Sequence, residues 1–162
     1  MKGLGKGFAL LREKKYLDAL HCFKSILGKT KDPEVKKNCL YGKARAQIGL
    51  KHFDVAEDIL LNAINEYPEC ELFYRALTRL YESQQQFKQA EKLYLKAVNH
   101  GCRSDKFLKQ YEWFLLHCVK PVPVLPGFRV YAAAQLQQHI PDLQIQAVIS
   151  PQQGKYHHKR LQ

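Results

Sequence analysis

The residue types best suited to chemistry stand at the N-terminus, in two His-Cys pairs and on two arginines near the middle of the chain. The opening "MKGLGKGFALLREKKY" sets Gly3, Gly5 and Gly7 beside Lys2 and Lys6, the composition of a loop whose backbone amides cradle phosphate. Such a loop needs its glycines between a strand and a helix, with Lys-Ser/Thr at the helix start. Here no strand precedes them and no Ser/Thr follows the lysine. His21-Cys22 and His117-Cys118 carry metal-ligand types, yet neighbours on a helix diverge by about 100° and seldom share one ion. Five widely spread cysteines without a C-x-x-C pair fit free thiols in a reducing compartment better than a disulfide framework. H-E-x-x-H and G-x-S-x-G signatures are missing, and the seven histidines lack carboxylates placed for acid–base work. No catalytic residue, metal site or cofactor is expected. Arg75 and Arg79 are different: four apart, they share a helical face and can fork onto carboxylates.

The elements that position these residues follow from an internal period. "KKYLDALHCFKSIL" (14–27), "KHFDVAEDILLNAI" (51–64) and "QQFKQAEKLYLKAV" (85–98) superimpose on a central alanine. The anchors are Tyr16, Ala19, Phe23 and Ile26, then Phe53, Ala56, Leu60 and Ala63, then Phe87, Ala90, Tyr94 and Ala97. Steps of three, four and three put each set on one helical face. A second helix-like stretch precedes each segment, over 4–13, 36–48 and 71–83, with Pro33 and Pro68 where a helix start tolerates proline. "SDKFLKQYEWFLLHC" (104–118) adds an N-cap, Ser104, ahead of one apolar stripe.

This pattern resembles the tetratricopeptide repeat family over about residues 1–100. The family's small residue falls at Gly7, Ala44 and Thr78, its aromatic at Tyr81 alone, and its proline at Pro68 alone. Repeats two and three match well and the first is degenerate. The resemblance implies an all-α superhelical stack of three helix-turn-helix repeats, with 104–118 as the capping helix that such stacks need. It also implies a concave groove built by the first helix of each pair. Carried over residue by residue, repeat one offers Leu4, Phe8, Leu11 and Arg12. Repeat two offers Asn38, Tyr41, Arg45, Ile48 and Gly49, and repeat three offers Leu72, Arg75, Arg79, Glu82 and Ser83. The capping helix would extend the groove with Lys106, Lys109 and Trp113. Phe8, Arg12, Asn38, Tyr41, Arg45, Arg75, Arg79 and Lys109 are thus the expected peptide-binding residues. A chaperone-type carboxylate clamp is excluded, because Leu4, Phe8, Gly42, Leu72 and Ala76 stand where that clamp needs Lys, Asn, Asn, Lys and Arg. Gly7 fits a close helix approach, whereas Gly3 and Gly5 have no repeat role and point to a loose first turn.

The net charge of +11 is concentrated at the two ends of the chain, with residues 38–119 nearly neutral. Acidic partners are favoured, whether protein segments, RNA or an anionic surface. No apolar run is long enough to span a bilayer and no signal peptide is evident, so a cytoplasmic location is expected. Three units follow: a helical repeat domain (1–119), a Pro-containing extension (120–150) and a basic tail (151–162) read as disordered. In the extension "LQIQAVIS" alternates as a strand does and "FRVYA" offers an edge, so pairing within the chain or between copies stays open. The functional expectation is a non-catalytic scaffold or adaptor that grips an acidic peptide with hydrophobic anchors. The alternatives are an RNA-binding helical repeat, or the adaptor domain of a larger multidomain regulatory protein.

Overall fold

The computed structural model describes residues 2–118, which are all-α. Seven helices follow in order: α1 (Lys2–Arg12), α2 (Tyr16–Leu27), α3 (Pro33–Gly49), α4 (Phe53–Glu66), α5 (Glu71–Ser83), α6 (Phe87–Asn99) and α7 (Asp105–His117). The expected extension and tail, with their strand and oligomer readings, lie outside the described residues.

Local chemistry fixes the helix starts. The Asp32 carboxylate accepts from the amides of Glu34 (2.8 Å) and Val35 (3.4 Å), and Pro33 follows as the first helical residue. This cap starts α3 about one turn earlier than the apolar periodicity indicates. Ser104 caps α7 by accepting from the Phe107 amide at 3.3 Å.

The turns inside the three helix pairs are one turn repeated. Lys14, Lys51 and Gln85 adopt positive φ angles of 60°, 63° and 59°. The amides that follow, on Lys15, His52 and Gln86, reach back to the carbonyls of Leu10, Gln47 and Tyr81 at 2.9, 2.9 and 2.8 Å. This six-residue closure satisfies carbonyls that a helix end leaves open. Gly101 (φ 83°) closes α6 in the same way, with Cys102 N–H donating to Ala97.

The pairs stack in register. α1 packs on α3, α3 on α5 and α5 on α7, while α2 sits against α1 and α3, α4 against α3 and α5, and α6 against α5. The odd helices therefore line one side of the stack. The central alanines Ala19, Ala56 and Ala90 are fully buried, as are Phe23, Leu60 and Tyr94 one turn later. A small residue at each crossing lets the paired helices approach, and the large one fills the space beside it.

Glycine extends this device across the first two repeats. A Cβ on Gly7 would come within 2.6 Å of the Phe23 ring, and one on Gly42 would overlap the same ring. Gly49 stands in the same relation to Tyr16. The opening glycines are part of α1 rather than a loose lead-in. Gly3 sits where a Cβ would press on Ile26 Cδ1 at 3.3 Å, and its carbonyl accepts from the Cys22 thiol at 3.4 Å. Gly5 faces open space.

Candidate peptide-binding groove

The odd-helix side carries an open groove of about 370 Å³ between α1, α3 and α5. Its floor is apolar, from Leu11, Ile48, Leu72, Ala76 and Leu80, and its rim is basic. Tyr41, Arg45, Arg75 and Arg79, expected at this surface, all line it. The Arg45 guanidinium lies 5.7 Å from the centre of the Tyr41 ring, a cation–π pairing that holds both at the mouth. A second groove of about 520 Å³ continues between α5 and α7. Arg75 and Arg79 belong to it as well, joined by Lys106, Lys109 and Trp113 from the capping helix.

The remaining expected site residues are placed differently. Phe8 is half-buried, with its ring edge-on to Phe23 at 5.2 Å and 6.4 Å from Tyr41. It packs the first repeat and stays out of the groove lining. Asn38 Nδ2 donates 2.8 Å to the Glu34 carbonyl one turn back on its own helix, an alternative that short polar side chains often take. Arg12 is exposed at the end of α1 and lines neither groove.

A residue that the sequence did not single out organises the second groove. Gln110 of α7 donates through Nε2 to the Arg75 carbonyl (3.3 Å) and to Thr78 Oγ1 (2.9 Å), and its Oε1 accepts from Arg75 Nε (3.4 Å). The Arg75 side chain is thereby tethered at Nε, leaving its terminal nitrogens available. Tyr16, Ala76 and Leu80 also line the first groove without having been expected there, and Gln110 went unseen because its partners, Arg75 and Thr78, are distant in the chain.

Charge in the grooves is lopsided. Glu82 is the acidic residue lining the second one. It accepts from the buried Tyr94 hydroxyl at 2.6 Å. Burial pushes its carboxyl above the usual range, against the opposing pull of the Tyr94 hydrogen bond and of Arg79. Burial likewise pushes the Tyr94 phenol up, with Glu82 adding to the shift. Two lysines at the start of α3 are paired, Lys36 with Glu66 (2.5 Å) and Lys37 with Glu34 (2.9 Å). Among the described residues no carboxylate lies within 4.0 Å of the Arg45, Arg75 or Arg79 guanidinium.

Among the described residues no three of His, Cys, Asp and Glu converge as a metal would require. No helix among them is long and apolar enough to cross a membrane. The geometry defines a seven-helix repeat-like stack with a basic, apolar-floored groove on its odd-helix side. No protein-family model, curated protein or solved structure matches the chain.

Proposed function

We propose that this chain is a tetratricopeptide-type adaptor, without catalytic activity, that captures an acidic peptide segment in the groove of its odd helices. One observation carries the reading: Tyr41, Arg45, Arg75 and Arg79 converge around an apolar floor, with no carboxylate on their guanidiniums among the described residues. Guanidinium forks bind carboxylates two hydrogen bonds at a time, and an apolar side chain in the floor supplies desolvated contact. The surface calls for both in one ligand. The three-repeat register and the shared turn at Lys14, Lys51 and Gln85 support the family assignment. Action in the cytoplasm accords with the five free thiols.

A competing reading is single-stranded RNA, favoured by Trp113, which is half exposed beside Lys106 and Lys109. Selection of random dodecapeptides against the full chain separates the two. The adaptor reading expects enrichment of Asp/Glu flanking an aliphatic or aromatic residue, and loss of binding in Arg75→Glu/Arg79→Glu with the helical circular dichroism unchanged. Undiminished peptide affinity in that variant defeats it. A labelled oligouridine that binds with a steep salt dependence, while no peptide is selected, supports RNA instead.

A further inference from the structure

Two grooves flank α5, one with an apolar floor and one where four cations gather beside Glu82, Gln110 and Trp113. In the second, Arg75 and Arg79 project from α5 one turn apart, and Lys106 and Lys109 face them from α7. Gln110 holds Arg75 at Nε and at its carbonyl, so the guanidinium is positioned before any ligand arrives. Against four cations stands Glu82, already engaged by the Tyr94 hydroxyl. A single side-chain carboxylate has one charge and two oxygens, which one guanidinium satisfies. A phosphoryl group carries close to two charges on three acceptor oxygens, and clustered arginines are its usual protein partner.

We propose that the α5–α7 groove is a subsite for a phosphorylated serine or threonine of the captured peptide, whose aliphatic anchor sits in the α3–α5 groove. The inference rests on the peptide-capture reading and adds the chemistry and spacing of the ligand. Neighbouring helix axes lie about 8–10 Å apart and an extended chain advances about 3.3 Å per residue, so anchor and phosphoryl group stand about three residues apart. A peptide fits better than RNA because each flanking ring has one face covered. Arg45 lies over Tyr41, and His117 stacks on Trp113 at 4.8 Å and 16°.

Fluorescence anisotropy with the full chain tests this. The probes are labelled Gly/Ser nonapeptides holding one leucine, with serine, glutamate or phosphoserine placed one to six residues from it. The expected result is that phosphoserine at a spacing near three binds about tenfold tighter than glutamate at the same place. Lys106→Glu/Lys109→Glu alters two exposed side chains and should cut that preference, read as the ratio of phosphoserine to glutamate affinity within the same variant, to about twofold or less. Equal affinity for glutamate and phosphoserine at every spacing, with binding still lost in Arg75→Glu/Arg79→Glu, overturns the phosphate subsite and leaves peptide capture standing. No binding of any leucine peptide, with oligouridine bound through Lys106 and Lys109, overturns both.

Discussion

The ring of Phe23 occupies the space that a side chain on Gly42 would need. Phe23 is on α2 and Gly42 on α3, so the contact joins the first repeat to the second, and Gly7 of α1 meets the same ring from within the pair. One aromatic residue is thus enclosed between two glycines and excluded from solvent.

Adding one methyl group at either glycine should be costly. Gly42→Ala and Gly7→Ala push into a packed ring and are expected to destabilise the fold by about 1–3 kcal/mol each. Gly5→Ala meets nothing within 4 Å and should stabilise by up to about 1 kcal/mol through helix propensity alone. Urea unfolding of the three variants checks the opposite signs. A loss in Gly5→Ala, or none in Gly42→Ala, contradicts this packing.

Much of the stack was legible in the sequence because its crossings repeat. Ala19, Ala56 and Ala90 must be small for the paired helices to close, and that requirement returns at each repeat and can be seen without coordinates. The closure between repeats was harder to read. Gly42 and Gly49 are small because Phe23 and Tyr16 need the room, and which rings they face depends on how successive pairs lean together. The groove divides along the same line. Arg75 and Arg79 are neighbours by local helical geometry. Gln110 acts on Arg75 from 35 positions away and has no local signature. Phe8 and Asn38 sit at groove positions of the repeat pattern, but Phe23 and Tyr41 take up the Phe8 ring and the Glu34 carbonyl takes up the Asn38 amide.

The repeated turn should tolerate glycine better than its own residues. Lys14, Lys51 and Gln85 sit at φ near +60°, where an L side chain costs about 1–2 kcal/mol and glycine little beyond about 0.5–1 kcal/mol of chain entropy. Each change to Gly is expected to add about 0.5 kcal/mol, and the triple variant to raise Tm by about 5 °C. Lys51→Val should do the reverse, because a β-branched side chain is worst placed there. Thermal scans of the triple variant and of Lys51→Val decide the point.

Thiol reactivity should sort the cysteines by depth. Cys39 is fully buried and Cys102 nearly so. Burial pushes both thiols up, that of Cys102 to about 11 from an ordinary 9.0. A rise of that size lowers the thiolate fraction near neutral pH by about a hundredfold. Cys22, half-buried on α2, should therefore be alkylated first in the native protein. Mass-spectrometric mapping after a short iodoacetamide pulse at pH of about 8 tests the order, and early labelling of Cys102 would count against the packing of α6 on α5.

Glu82 should make stability fall as pH rises through one window. Its carboxyl is held above its ordinary 4.5 mainly by burial, while the Tyr94 hydrogen bond and Arg79 act the other way. Just above the ordinary value the folded chain keeps a proton that the unfolded chain has released. Stability rises with pH only where the unfolded state binds more protons, so here the sign is reversed and ionisation of Glu82 opposes folding. Glu82→Gln keeps an oxygen for the Tyr94 hydroxyl and removes the titration. Relative to this variant, the wild type should lose stability over the range in which pH rises above the ordinary carboxyl value of 4.5. Urea midpoints of both proteins across that range provide the measurement. Parallel profiles would mean that Glu82 titrates as an exposed carboxylate, and a wild-type gain with rising pH would mean that the contact with Tyr94 and Arg79 outweighs burial.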